Sequence, residues 1–124
     1  MINKKKILLL EDDQTLCRLL TTLLEMENYN IAPFSEINPD ELLSFLSSFS
    51  PDAIIMDINL KGMNGIDTLR TIRSNKIWGN NIKIIISSGE NRKEESMNAG
   101  ASYFLQKPFM PSELLNTLQN LITE

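Results

Sequence analysis

Lys4-Lys5-Lys6-Ile7-Leu8-Leu9-Leu10-Glu11-Asp12-Asp13 sets a short apolar run directly against three carboxylates. A second run, Ala53-Ile54-Ile55-Met56-Asp57, ends the same way. Neither run alternates polar with apolar residues, as expected of strands in a parallel sheet covered on both faces. The carboxyl ends of neighbouring strands in such a sheet open into one crevice, so Glu11, Asp12 and Asp57 are expected to converge there. Like charges that close require a proton or a cation. A hard divalent ion such as Mg2+ suits an all-oxygen set.

A third apolar run, Ile82-Lys83-Ile84-Ile85-Ile86, leads into Ser87-Ser88-Gly89, and a fourth, Tyr103-Phe104-Leu105, into Gln106-Lys107-Pro108. The same edge then carries a hydroxyl and an ammonium, and with the carboxylates and a metal these make a cradle for a phosphoryl group. Amphipathic segments separate the runs, which predicts five strands and five helices in βα alternation. The first helix is expected over Gln14 to Glu27, with Leu16, Leu19, Leu20, Leu23 and Leu24 on one face and Cys17 beside them. Asp13 reads as its cap. A weak second strand is expected near Asn30 to Pro33. Helix two opens at Asn38-Pro39-Asp40-Glu41, an N-cap, a proline at the first helical position and an acid at the third. Strand three covers Ala53 to Met56, a Gly-containing loop follows, and Asn64 caps a third helix that runs to about Ser74. Strand four covers Ile82 to Ile86. Glu90 to Ala99 is polar nearly all round, with Met97 and Ala99 its only apolar residues, so helix four is expected to be short, weakly anchored and mobile. Helix five begins near Pro111.

With 124 residues the chain has room for one domain and one sizeable core. The formal net charge of −4 gives no electrostatic footing for direct nucleic-acid binding. The single cysteine, Cys17, cannot close an internal disulfide and reads as a small buried hydrophobe. No apolar run approaches the ~20 residues of a membrane span, and the basic start, Met1 to Lys6, is followed at once by acids, which argues against a signal peptide. The expectation is a cytoplasmic, single-domain protein spanning residues 1–124.

Taken singly, each motif has a plain structural reading. Acids after a strand cap helices, a serine pair makes a turn, and Lys-Pro reverses a chain. Their joint occurrence, each at the end of a different expected strand, is what argues for a site.

These ordered motifs resemble the receiver domain of two-component response regulators, the CheY-like family, from about Lys4 to the C-terminus. The resemblance implies a doubly wound α/β (βα)5 fold, flavodoxin-like, with a five-stranded parallel sheet in the order 2-1-3-4-5. It implies that Asp57 is the phosphoacceptor and that Mg2+, with Mn2+ as the alternative, is held by Asp12, Asp57 and the Asn59 backbone carbonyl, with Glu11 acting through water. It further implies that Lys107 pairs with the phosphoryl oxygens and that Pro108 follows it through a cis bond. Ser88 matches the switch hydroxyl, with Ser87 as the alternative, and Phe104 matches the aromatic residue that rotates inward. Asn59 and Glu90 match the residues that flank the hydrolytic water and tune dephosphorylation. Lys61, where the family usually has proline, and a shortened stretch from Ser88 to Gly100 are departures.

The implied activity is that of a phosphorylation-controlled switch, not an enzyme with turnover. A sensor histidine kinase or a histidine phosphotransfer protein would be the donor, and an effector would read the face formed by helix four, strand five and helix five. The chain is expected to be a monomer, with dimerisation on phosphorylation an open alternative, and to contact neither membrane nor nucleic acid directly. A receiver excised from a longer regulator or hybrid kinase, and a phosphate-independent interaction module of the same fold, are the alternatives. A phosphohydrolase of the haloacid dehalogenase class needs a second aspartate two residues after the first, where Asn59 stands.

Overall fold

The computed structural model describes residues 4–122. The reading of the N-terminus at Met1 to Asn3 lies outside the described residues. Five parallel strands, β1 (Lys6–Leu10), β2 (Asn30–Phe34), β3 (Ala53–Asp57), β4 (Lys83–Ser88) and β5 (Tyr103–Gln106), form one sheet in the order β2-β1-β3-β4-β5. The expected fold class and strand order are therefore found. The intervening helices are α1 (Gln14–Met26), α2 (Pro39–Phe49), α3 (Gly65–Arg73), α4 (Lys93–Asn98) and α5 (Pro111–Ile122).

Alternate residues of each strand feed opposite layers. Leu8, Leu10, Ile54, Met56, Ile84 and Ile86 pack with Leu42 and Leu46 of α2 and with Ile66, Leu69 and Ile72 of α3. Ile7, Leu9, Ala53, Ile55 and Ile85 pack with Cys17, Leu20 and Leu24 of α1 and with Leu114 and Leu118 of α5. Burial on both faces is why the central runs show no alternation in sequence.

The helix starts follow local chemistry. Asp13 caps α1 by accepting from Leu16 N at 3.0 Å. At α2, Asn38 accepts from Glu41 N at 2.8 Å while the Glu41 carboxylate accepts from Asn38 N, a closed capping box with Pro39 at the first position. Asn64 caps α3 by accepting from Ile66 N and Asp67 N.

Several details depart from expectation. Leu19 is 49% exposed and Cys17 lies within the buried stripe of α1, because the sheet contact is centred on Cys17, Leu20 and Leu24. β2 is a full five-residue strand, since every residue from Asn30 to Phe34 finds a register partner on β1. β3 extends to Asp57, β4 to Ser88 and β5 to Gln106, so the residues expected beyond these strand ends lie within the sheet. The loop after β3 contains a small antiparallel ladder, Asn59–Leu60 with Met63–Asn64, turned through Gly62 at φ 77°.

α4 is as short as expected, six residues, and the side chain it turns inward is a serine. Met97 is 39% exposed, whereas Ser96 is fully buried with no hydrogen-bond partner for its hydroxyl. Helical spacing turns Ser96 toward the sheet when Ala99, three residues on, is buried there.

Candidate functional site

Four strand ends deliver the site, and backbone bonds carry the sheet one residue past three of them. Glu11 N donates to Phe34 O at 3.1 Å, which keeps Glu11 in line with β1 and only 2% exposed. Ile58 N donates to Ser87 O at 2.9 Å just after Asp57, and Lys107 N donates to Ser88 O at 2.7 Å just after β5. The backbones that carry Glu11, Asp57 and Lys107 are thus held by the ladder and not by flexible loops.

The side chains meet from widely separated parts of the sequence. Lys107 Nζ lies 2.8 Å from Glu11 Oε1 and 2.8 Å from Asp57 Oδ2. The second Glu11 oxygen, Oε2, accepts from Asp13 N at 3.2 Å, and Asp57 Oδ1 accepts from Asn59 N at 3.0 Å. One carboxylate oxygen from each of Glu11, Asp12 and Asp57 lies within 4.8 Å of the other two. Glu11 and Asp57 are buried and Asp12 is exposed, so the cluster opens to solvent on the Asp12 side.

The charge balance has clear causes. Burial pushes the Glu11 carboxyl above its ordinary value. The bond from Lys107 and the backbone N–H of Asp13 oppose that rise, and the neighbouring Asp57 adds to it. Burial alone would lower the Lys107 ammonium, but its bonds to Asp57 and Glu11 outweigh burial and hold it above its ordinary value. One ammonium against three carboxylates leaves the site anionic. Hard oxygen donors in excess of cations are the chemistry a divalent ion such as Mg2+ fits. Both Glu11 oxygens already have partners, which leaves Asp12 as the least committed of the three.

The loop after Asp57 is closed by Gly65 N donating to Ile58 O at 2.9 Å. A Cβ at Gly65 would stand 2.6 Å from Ile58 Cα and 2.6 Å from Ile58 O, so only glycine permits this approach. The closure holds Asn59 over the site, beside a cavity of about 380 Å³ lined by Asp12, Asn59, Lys61, Asn64 and Arg92. Arg92, which also pairs with Glu95, and Lys61 put two cations at this mouth. Arg92 escaped the sequence reading because a charge in an irregular segment carries no periodic signal.

Register distinguishes the two serines. Ser87 is opposite Asp57, whereas Ser88 is opposite Gln106, with Ile86 opposite Phe104 two residues earlier. Ser88 therefore lies on the same sheet face as Phe104, and Ser87 on the other. Ser88 is fully buried, and its Oγ accepts from Glu90 N at 3.0 Å, which ties the β4 end to the start of the next loop. Phe104 is 8% exposed and packed with the α2 and α3 layer. Its side chain already lies inward here, so the expected inward rotation has little left to travel. Glu90 is exposed, and the Lys107-Pro108 bond is cis.

A residue that the sequence reading missed also shapes this half of the sheet. Arg73, at the end of α3, donates to Gly100 O, Gly79 O, Ile82 O and Ser102 Oγ. One guanidinium thus joins the α3–β4 and α4–β5 connections. Burial lowers its pKa from the ordinary value. Among the described residues its partners are all neutral oxygens, so no charge pattern in the sequence announces it.

Comparison with known proteins bears on the family and the fold. The chain is 30% identical over 122 residues to a nitrate/nitrite response regulator protein homologue of Haemophilus influenzae, covering 98% of this chain and 58% of that protein. It is 35% identical over 127 residues to a protein-glutamate methylesterase/protein-glutamine glutaminase of Clostridium acetobutylicum, covering 98% of this chain and 36% of that protein. The chain thus spans about a third to three fifths of the length of these relatives. Among solved structures, the chemotaxis response regulator CheY4 of Vibrio cholerae superposes with a TM-score of 0.85 at 25% identity, covering 97% of this chain and all of that one. A signal receiver domain from Bermanella marisrubri superposes with a TM-score of 0.86 at 25% identity, covering 98% of this chain and 100% of that one. Residues 7–119 match the response regulator receiver domain, and the chain belongs to that family, the phosphorelay module of two-component signalling systems.

Proposed function

We propose that residues 1–124 act as one receiver domain that accepts a phosphoryl group on Asp57 from a phosphohistidine and changes shape in response. The observation that carries this reading is the Asp57 carboxylate, buried in the sheet edge, with one oxygen on the Lys107 ammonium and the other on Asn59 N–H. Attack by a carboxylate oxygen forms a P–O bond while the P–N bond to the donor imidazole breaks. The bonding pair leaves with the imidazole, and an acyl phosphate remains. A bound Mg2+ or Mn2+, held by Asp12, Asp57 and the Asn59 carbonyl with Glu11 behind them, would neutralise phosphoryl charge during transfer. Lys107 neutralises part of that charge from the protein side, and the anchored Asn59 backbone orients the nucleophile.

Receiver domains work between histidine kinases and downstream effectors, and we assign this chain a sensor kinase or a histidine phosphotransfer protein as donor. Ser88 is the switch hydroxyl in this reading. Turning toward the phosphoryl group weakens its bond with Glu90 N–H, which frees the loop that leads into α4. Because Phe104 is already inside, the coupling runs through Ser88, Glu90 and the short α4, and the effector reads the α4-β5-α5 face. No described helix is long and apolar enough to cross a membrane. A cytoplasmic location is part of the proposal, as is the absence of catalytic turnover on other substrates.

Incubation with acetyl phosphate and Mg2+, followed by intact-mass measurement, tests the reading. One added phosphoryl group on the wild type and none on Asp57→Asn is the expected result. Labelling retained in Asp57→Asn sinks the acceptor assignment, and an unlabelled wild type favours the phosphate-independent module. Acyl-phosphate decay in Asn59→Met and Glu90→Leu tests the dephosphorylation roles. Both substitutions are expected to slow it, and unchanged decay removes those residues from the site.

A further inference from the structure

A groove of about 540 Å³ lies on the far edge of the sheet, away from Lys107, between the end of β2 and α2. Its apolar surface comes from Phe34, Ile37 and Phe45, and the Phe34 and Phe45 rings meet edge to face with centroids 5.1 Å apart. Glu36 and Asp40 stand on its lip, and neither makes an ion pair among the described residues. Glu41 is also on the lip, but its carboxylate is engaged in the α2 capping box.

The wider charge pattern decides what can fill this groove. From Leu19 to Leu60 the chain carries seven carboxylates and neither a lysine nor an arginine. The rest of the chain carries twelve cations against nine acids, so the negative balance comes entirely from this stretch. An acidic or neutral partner would bury or crowd the Glu36 and Asp40 carboxylates, which have no ion pair among the described residues. A cationic one complements them and is steered in by the field.

The backbone decides the shape of the occupant. β2 is the edge of the sheet, but Pro33 has no N–H to offer an added strand, so extension of the sheet is disfavoured there. On the α2 side, Ser44 and Ser48 lie one turn apart with small exposed side chains, which lets another helix approach closely beside Phe45. We propose that this groove docks a basic amphipathic helix of a partner protein, its apolar residues against Phe34, Ile37 and Phe45 and its cations against Glu36 and Asp40. The site is separate from the Asp57 cluster and does not depend on phosphoryl chemistry.

The test is an amide-shift titration of the full chain in Mg2+ with model peptides of about 14 residues, roughly four helical turns. One is a Lys/Leu peptide with its leucines on a single face, the second has the same composition scrambled, and the third is a Glu/Leu analogue of the first. The amphipathic basic peptide is expected to shift amides of residues 33–48, while the scrambled and acidic peptides do so weakly or not at all. The pair Glu36→Gln with Asp40→Asn keeps the capping box and removes the lip charges, and binding should weaken about tenfold and lose most of its salt dependence. Ser44→Trp, at an exposed helical position, should block the groove while the rest of the spectrum stays folded. Equal binding by the scrambled peptide, shifts centred on residues 11–13 and 57, unchanged affinity in the charge variant, or no shift at millimolar peptide would each overturn the proposal.

Discussion

Lys107→Met removes the only cation in contact with Glu11 and Asp57 among the described residues, and its consequences follow from the geometry. The ammonium makes two bonds of 2.8 Å to buried carboxylates. Each charge-assisted bond of this kind contributes about 1.5–3 kcal/mol, offset by the desolvation that the ammonium no longer undergoes. The carboxylates left behind lie no more than 4.8 Å apart, where at an effective dielectric of ~20 they repel by about 3 kcal/mol. We expect a net loss of about 3 kcal/mol near neutral pH in a chelator, at the low end of the ~3–5 kcal/mol seen when one member of a buried pair is removed. With a urea slope of ~2 kcal/mol/M the unfolding midpoint falls by roughly 1.5 M. Adding Mg2+ should recover part of the loss, because a metal replaces the missing positive charge.

The pH dependence separates charge from packing. Glu11 has a folded-state pKa raised above its ordinary 4.5, so its ionisation removes stability as pH rises through the window above 4.5. Losing Lys107 raises that carboxyl further and deepens the penalty. The variant's deficit should therefore grow with pH through this window and shrink as pH falls toward 4.5. Lys107 in the wild type behaves in the opposite sense. Its contribution is complete below 10.5 and is lost only as pH rises through its higher folded value. Equal deficits at pH 5 and pH 8 in chelator would refute the electrostatic argument and assign the loss to packing of the lysine stem.

Three further outcomes are expected. Ser88→Ala should still accept a phosphoryl group yet lose most of the amide-shift change over residues 90–105 that a phosphoryl analogue produces; equal changes in both proteins would break the proposed coupling. Gly65→Ala should lose about 2–3 kcal/mol in urea unfolding, because its Cβ meets Ile58 backbone at 2.6 Å and backbone yields little; a loss below about 0.5 kcal/mol would mean that the loop relaxes freely. Arg73→Met should lose about 2–4 kcal/mol by leaving buried carbonyls unpaired, and Arg73→Lys should rescue little of it, since one ammonium cannot reproduce the fork that reaches Gly100, Gly79 and Ile82; full rescue by lysine would show that charge, not the fork, matters.

The repeating βα architecture and the acids at the strand ends were legible in the sequence because each rests on local physics. Unbroken apolar runs mark strands buried on both faces, and the caps at Asp13, Asn38 and Asn64 satisfy N–H groups only a few residues away. Asp57 and Lys107 could be named for the same reason, since the end of a buried strand is a place in the sheet. Tertiary structure decided what depends on which elements face each other. The pairing of β4 with β5 puts Ser88 and not Ser87 on the face of Phe104, and a serine pair reads the same in either register. Packing turned Leu19 outward and Ser96 inward, because a helix's buried stripe is set by the neighbour it rests on as well as by its own composition. The Arg73 clasp and the Gly65 closure join segments through neutral backbone oxygens, and every residue in a chain carries one. Only the fold determines which of those oxygens are brought within reach, so the order of side chains shows the glycine and the arginine but not the partners they meet.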